Sequence, residues 1–426
     1  MRGKVLVLAR VTRSNGNVLQ TMNSTREPAK ARDAHSHLPT LDGLRGIALL
    51  LVLLHQFGSL EGQTDVAAWV FQLIQGKGWV GVQLFFVLSG FLITGILLDT
   101  RQSRNYFSAF YAHRTLRIFP LYFAVLFGAF FILPAIGTVP AMLESDRANQ
   151  IWLWTYLENW MVPIGKGSQS FPHFWSLAVE EQFYLIWPLL IHRRTTNSVF
   201  RLCIALILLT LAIRCVLSAL GVSTGVFYYT SICRMDALIF GAAIAAAFRI
   251  PAMQMHLLRW PLRYFLAAVV LGFAGLIITR GYPSNGVVAE TIGYSIVSAV
   301  FALTIAACAS ADLAGSAGPF VLFRVQLLRT VGKYSYGMYV FHKPLHEFFG
   351  KSVAAAIDLQ VTQSAVDSAS YVVFATVVTF LVAFASYHLL EIHFLKLKRL
   401  FGSHVTATLA FPQSTTSSSE RQRLPL

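Results

Sequence analysis

Ionisable side chains interrupt stretches of this chain that are otherwise long and apolar. Arg45 and His55 stand in the first such stretch, Glu180 and Glu181 in the fourth, Arg214 in the fifth, and Arg234 with Asp236 in the sixth. His342 and Lys343 follow in the ninth, and Glu391 closes the tenth. Within a bilayer each such group costs about 2.5–3.5 kcal/mol on insertion scales, so it faces a cavity or a partner and marks function. Both signs of charge, together with two histidines, point to a polar interior that handles a charged ligand or protons.

Spacing adds detail. Arg45 and His55 are ten residues apart, roughly 15 Å along a helix axis, which puts Arg45 at one interface and His55 near mid-membrane. Arg114 and Arg117 are i and i+3 and share a helix face, where two guanidiniums make a fork suited to phosphate. They are expected just ahead of the third apolar stretch, at headgroup depth, where ordinary topological anchoring would also place arginines. Ser176 and Glu180 are i and i+4 on one face, and Glu181 points about 100° away. Glu180 could equally neutralise a buried arginine such as Arg45, Arg214 or Arg234. His342 could be a structural histidine that orients the ninth helix. Asp42 is placed to cap the first helix, and Gly81, Gly90 and Gly95 read as close-packing positions.

The elements that must hold these groups are membrane helices. Of 426 residues 55% are hydrophobic and only 12% charged, about half the charged share of a soluble domain. Runs near 20 residues, long enough to span, lie around Leu44–Leu60, Trp79–Leu98, Phe119–Ile136, Trp175–Ile191, Leu202–Leu220, Ile232–Ala247, Tyr264–Thr279, Val287–Ala309, Tyr334–Phe349 and Tyr371–Leu390. The fold expected is an all-α, polytopic membrane bundle of about ten transmembrane helices, with Trp152–Trp160 as an interfacial segment. The net charge of +15 does not imply nucleic acid. With the amino terminus inside, 26 Lys/Arg fall in inner segments and 5 in outer ones, the asymmetry of a positive-inside protein with both termini cytoplasmic. Residues 1–38 read as a disordered basic tail, 39–395 as the membrane domain and 396–426 as a second tail. The four cysteines (Cys203, Cys215, Cys233, Cys308) lack metal spacing and read as buried thiols, so no metal is expected.

Six stretches then occur in a telling order: Leu41-Asp-Gly-Leu-Arg-Gly46, Gly81 to Ile93, Arg114-Thr-Leu-Arg-Ile-Phe-Pro-Leu-Tyr122, Phe174 to Pro188, Arg234-Met-Asp-Ala-Leu238, and Gly332 to Pro344. Together they resemble the acyltransferase 3 family of membrane O-acyltransferases, which includes bacterial polysaccharide O-acetylases. The resemblance implies an acyl-CoA donor, usually acetyl-CoA, on the cytoplasmic side of the inner membrane and a carbohydrate or glycolipid acceptor outside. Arg45 matches the family's early basic residue, Arg114 and Arg117 its Arg-x-x-Arg pair, and Ser176 with Glu180 its Ser-x-x-x-Glu motif. The family places a histidine eleven positions after the basic residue. Here that position is Gln56, and His55 comes one residue, or about 100°, early. Either a local π-bulge re-aims His55 or Gln56 has taken its place. Some relatives add an esterase-like domain after the membrane part. Nothing comparable follows residue 396, so transfer is expected to go directly to the acceptor or to a separate partner.

On this reading Arg114, Arg117 and Arg45 bind the CoA phosphates, His55 takes the acceptor proton, and Glu180 or Glu181 sets its tautomer. Ser176 is an oxyanion donor or covalent relay, and His342 is a second candidate base. The rival of a different class is a transporter or flippase for a lipid-linked sugar, which would use the same buried charges for proton relay without consuming acyl-CoA. No inverted repeat of the transporter kind is evident.

Overall fold

The structure, a computed structural model, describes residues 38–58, 66–137, 141–315, 318–350 and 365–402. Most of the two expected tails therefore lies outside the described residues. Ten long helices organise the rest: α1 (Pro39–Phe57), α2 (Val80–Thr100), α3 (Tyr106–Phe127), α4 (Phe174–Ile191), α5 (Thr196–Ala219), α6 (Ser231–Ala247), α7 (Pro261–Ile278), α8 (Tyr294–Leu313), α9 (Gln326–Leu345) and α10 (Ala365–Ser386). Each overlaps one of the ten apolar stretches, though α3 and α9 begin 13 and 8 residues ahead of theirs.

Among the described residues, eight helical stretches are long and apolar enough to cross a membrane. The two long helices that fall short are α4 and α9. α4 carries Ser176, Glu180, Glu181 and Gln182, and α9 carries Arg329, Lys333, Ser335, His342 and Lys343. Their polarity is what removes them from the apolar set, and both line the cavities described below. The Trp152–Trp160 segment forms two single-turn helices, Ile151–Trp154 and Glu158–Met161.

Inner and outer helices differ in what they expose. α2 packs against α1, α6 and α8, and α9 lies between α1 and α10. α5 and α7 are peripheral and leave apolar side chains uncovered, such as Leu208 at 59% and Ile277 at 78% exposure. A surface of that kind suits hydrocarbon rather than water. The α2–α6 crossing is close because two glycines face each other's backbone. A Cβ on Gly90 would overlap the Leu238 carbonyl, and one on Gly241 the Val87 carbonyl. Small residues permit this approach, which in lipid replaces the hydrophobic drive between helices.

Buried charges are paired where they serve the scaffold. Arg214 of α5 bonds Asp236 of α6 at 2.9 Å and the Cys233 carbonyl at 3.0 Å, and it also reaches Ser295 of α8. Arg249, just past α6, grips Asp99 of α2 with two bonds of 2.7 and 2.6 Å. Two expectations are corrected here. The helix α1 begins at Pro39 with Leu38 at its N-cap position, so Asp42 stands in the first turn and is not the N-cap residue, and the Thr40 N–H donates to the Asp312 carboxylate of α8 at 2.9 Å. Cys215 is exposed on the outward face of α5, whereas Cys203, Cys233 and Cys308 are buried.

Candidate active site

Two cavities stack along the helix axes. The first, of about 110 Å³, lies between α1, α2, α3, α4 and α9. Its wall brings together Arg45, Arg114, Arg117, Ser176 and Glu180, drawn from three helices. Arg114 and Arg117 sit inside α3, which begins at Tyr106, rather than ahead of it. Their i, i+3 spacing turns both into the cavity, and Arg45 lies within electrostatic reach of both. Three guanidiniums this close repel one another in a low-dielectric setting, so the cluster is built to meet an anion. Glu180 supplies one nearby negative group. Its Oε1 accepts from Ser89 (2.8 Å) and its Oε2 from the Tyr184 hydroxyl (3.2 Å). Glu181, one residue on, does not line the cavity, and its buried Oε1 has no hydrogen-bond partner among the described residues.

The second cavity, of about 420 Å³, is formed by the far end of α1, the start of α2 and α4, the end of α9, a short helix Thr224–Tyr229 and the loop at Ser284–Asn285. Its walls are aromatic (Trp79, Trp175, Tyr228, Tyr229) with interspersed Thr224, Ser284 and Asn285. His55 and Gln56 both line it, as does Lys343. α1 is regular α-helix from Pro39 to Phe57, so no π-bulge re-aims His55. The imidazole reaches the cavity from an undistorted helix beside Gln56.

His55 is oriented by a backbone carbonyl and not by a carboxylate. Its Nδ1 donates to Gln75 O at 2.9 Å, and Gln75 returns a bond from Nε2 to the His55 carbonyl at 3.0 Å. With the proton on Nδ1, the neutral ring presents a lone pair at Nε2. Glu180, held by Ser89 and Tyr184 in the other cavity, makes no hydrogen bond to His55 among the described residues. His342 is fully buried and lines neither cavity. Its Nδ1 donates to the Tyr339 carbonyl at 2.6 Å, and its ring packs on His173 with centroids 4.6 Å apart.

Among the described residues, only Tyr339 and Val82 line both cavities. The Tyr339 hydroxyl is 2.5 Å from Ser176 Oγ, and the two sit over the His173 carbonyl at 3.2 and 3.0 Å. Two hydroxyls thus meet at the septum between an arginine-lined chamber and an aromatic one. Tyr339 lies three residues before His342 in the last of the six motifs, so it shares that histidine's helix face. That spacing was the signal that could have marked it. Ser89 lay likewise inside the second motif. Among the described residues, no group of histidine, cysteine and acidic side chains could hold a metal ion.

Residues 38–388 match the family described as an acyltransferase domain. The chain is similar to YrhL of Bacillus subtilis, 28% identical over 84% of this chain and 55% of the relative. It is similar also to the peptidoglycan O-acetyltransferase OatA of Listeria monocytogenes (26%, over 74% of this chain and 50% of the relative). The O-acetyltransferase OatA of Staphylococcus aureus is 25% identical, over 73% of this chain and 51% of the relative. The chain thus spans about half the length of the curated relatives it matches. No solved structure matches it. With the family match running through all the helices that wall both cavities, the chain belongs to the acyltransferase domain family.

Proposed function

We propose that this chain is a multi-pass membrane O-acetyltransferase that moves an acetyl group from CoA to a hydroxyl of a carbohydrate, with donor and acceptor in separate chambers. The supporting observation is the pair of cavities that share Tyr339 and Val82. One has the positive charge a CoA thioester requires, and the other has the aromatic faces and hydroxyls that suit a sugar. The named activity of the Listeria and Staphylococcus relatives supports acetyl as the group transferred.

In this mechanism Arg45, Arg114 and Arg117 hold the CoA phosphates by charge-assisted bonds, on the cytoplasmic side that the lysine and arginine asymmetry favours. The pantetheine arm runs past Ser89 and Glu180 toward the septum. An acceptor hydroxyl in the aromatic chamber gives its proton to His55 Nε2 as its oxygen bonds to the thioester carbon. The Tyr339 and Ser176 hydroxyls stabilise the oxyanion that forms. The carbon–sulfur bond then breaks, the departing CoA sulfur takes up the proton that the imidazolium gives back, and CoA thiol leaves with His55 neutral again. The Gln75 carbonyl sets the tautomer, the role first assigned to a glutamate. His342 supports Tyr339 from behind.

Release of CoA thiol by the purified chain, with acetyl-CoA and a saccharide acceptor, tests this reading. Loss of His55 should lower kcat, and loss of Arg114 and Arg117 should raise the KM for acetyl-CoA. A chain that consumes no thioester, or variants that leave both constants unchanged, contradicts it.

A further inference from the structure

Two arginines are buried near each other in the α5–α6 region, and they are treated very differently. Arg214 is anchored by hydrogen bonds to Asp236, Ser295 and the Cys233 carbonyl, with its Nε unpartnered among the described residues. Arg234, equally buried and two residues from Asp236, has no hydrogen-bond partner among the described residues for Nε, Nη1 or Nη2. The nearby carboxylate binds Arg214 and Ser295 through Oδ2, and its Oδ1 makes no hydrogen bond to Arg234 or to any other described residue. What surrounds Arg234 is a cage of four rings, with Tyr294 at 4.3 Å, Tyr228 at 5.0 Å, Trp175 at 5.7 Å and Trp79 at 5.9 Å from ring centroid to guanidinium carbon. Ring faces stabilise the charge but accept none of the five in-plane N–H donors, and an arginine cannot shed its proton.

Three of those four rings, Trp79, Trp175 and Tyr228, also line the aromatic cavity. The guanidinium therefore lies directly behind that cavity's wall. Of the other basic groups in the wall, Lys343 pairs with Glu347 at 2.9 Å, His55 bonds the Gln75 carbonyl, and His173 bonds the Val340 carbonyl through Nε2 and leaves its Nδ1 unpartnered. Tyr228 belongs to the six-residue helix Thr224–Tyr229, which itself forms part of the wall. It is the cage member on the shortest element.

We propose that Arg234 and its aromatic cage are an anion subsite of the acceptor chamber, reached past Tyr228. The acceptor then carries a carboxylate or phosphoryl group beside the hydroxyl to be acylated. The planar fork takes either anion through paired N–H donors, while Trp79 and Trp175 pack on the apolar faces of the sugar. The inference rests on the reading of the aromatic chamber as the acceptor site.

Binding to the full chain in detergent tests it, with glucose and glucuronate as probes that differ only in the carboxylate. Wild type should bind glucuronate at least tenfold more tightly than glucose. Arg234→Gln should lose that preference and Arg234→Lys should keep most of it. Displacement of glucuronate by lower concentrations of inorganic phosphate would identify a phosphoryl group as the preferred anion of the same subsite. Equal binding of glucose and glucuronate by wild type, with no binding of phosphate, overturns the proposal even if Arg234→Gln cannot be purified folded. So does a preference that survives in folded Arg234→Gln. CoA-thiol release by wild type with a neutral saccharide tests the acyl-transfer reading separately, because it does not require the anion subsite.

Discussion

The two chambers are built by different means. The arginine-lined cavity takes every lining residue from five long helices, with charges placed at i, i+3 and i+4 intervals along them. The aromatic cavity takes part of its wall from a six-residue helix and from Ser284–Asn285. Helix spacing alone is enough to aim charged groups at one point. A surface that grips a neutral ring needs walls from several directions, which only the connections between helices can provide. In the proposed mechanism the helix-built chamber takes the nucleotide donor and the partly loop-built one the acceptor.

If the acceptor side holds the base, His55→Ala should give the largest effect, a fall in kcat of about 10²–10⁴ with little change in acetyl-CoA KM. Steady-state thiol release with both substrates varied separates the constants. The converse is expected on the donor side. Arg114→Ala combined with Arg117→Ala should raise acetyl-CoA KM by about 100-fold or more, from the loss of two charged hydrogen bonds worth about 1.5–3 kcal/mol each, and should leave acceptor KM near wild type. An equal rise in both KM values would dissolve the distinction between chambers. At the septum, Tyr339→Phe keeps the ring that separates the cavities and removes one hydroxyl. A drop in kcat of roughly tenfold or more is expected if that hydroxyl meets the oxyanion, and unchanged kcat would make Tyr339 a partition only.

The smallest effect concerns a loop that braces the aromatic side. Glu158 lies outside the membrane-spanning segments and accepts the Ser168 N–H at 2.6 Å, and burial pushes its carboxyl up to about 7. The folded chain holds that proton more tightly than the unfolded chain. Its contribution to stability is therefore complete below the ordinary value of 4.5 and is lost as the pH rises through about 7. The melting temperature in detergent should fall by a few degrees between about pH 5 and 8, and Glu158→Gln should flatten that slope. An identical slope in the variant would remove Glu158 as its source.

The same contrast explains what was legible in the sequence. Hydropathy runs located all ten long helices, and the i, i+3 and i, i+4 spacings of Arg114, Arg117, Ser176 and Glu180 anticipated a shared face. The ten-residue spacing of Arg45 and His55 separated them along one helix, and they line different cavities. Contacts between distant segments were not legible. Nothing near His55 in the chain indicates that Gln75, twenty residues on, turns its carbonyl to the imidazole, so a glutamate seemed needed for a task the backbone performs. The bond from the Thr40 amide to Asp312, 272 residues away, was hidden for the same reason. Arg234 looked equivalent to Arg214 because their difference lies in which of them Asp236 reaches.

The separation of donor from acceptor is tested by proteoliposomes with acetyl-CoA added only outside and saccharide enclosed within. Acylated saccharide should accumulate inside while free CoA thiol appears only outside. Acylation that occurs only when both substrates share one compartment, or thiol release into the lumen, would contradict transfer across the Tyr339 septum.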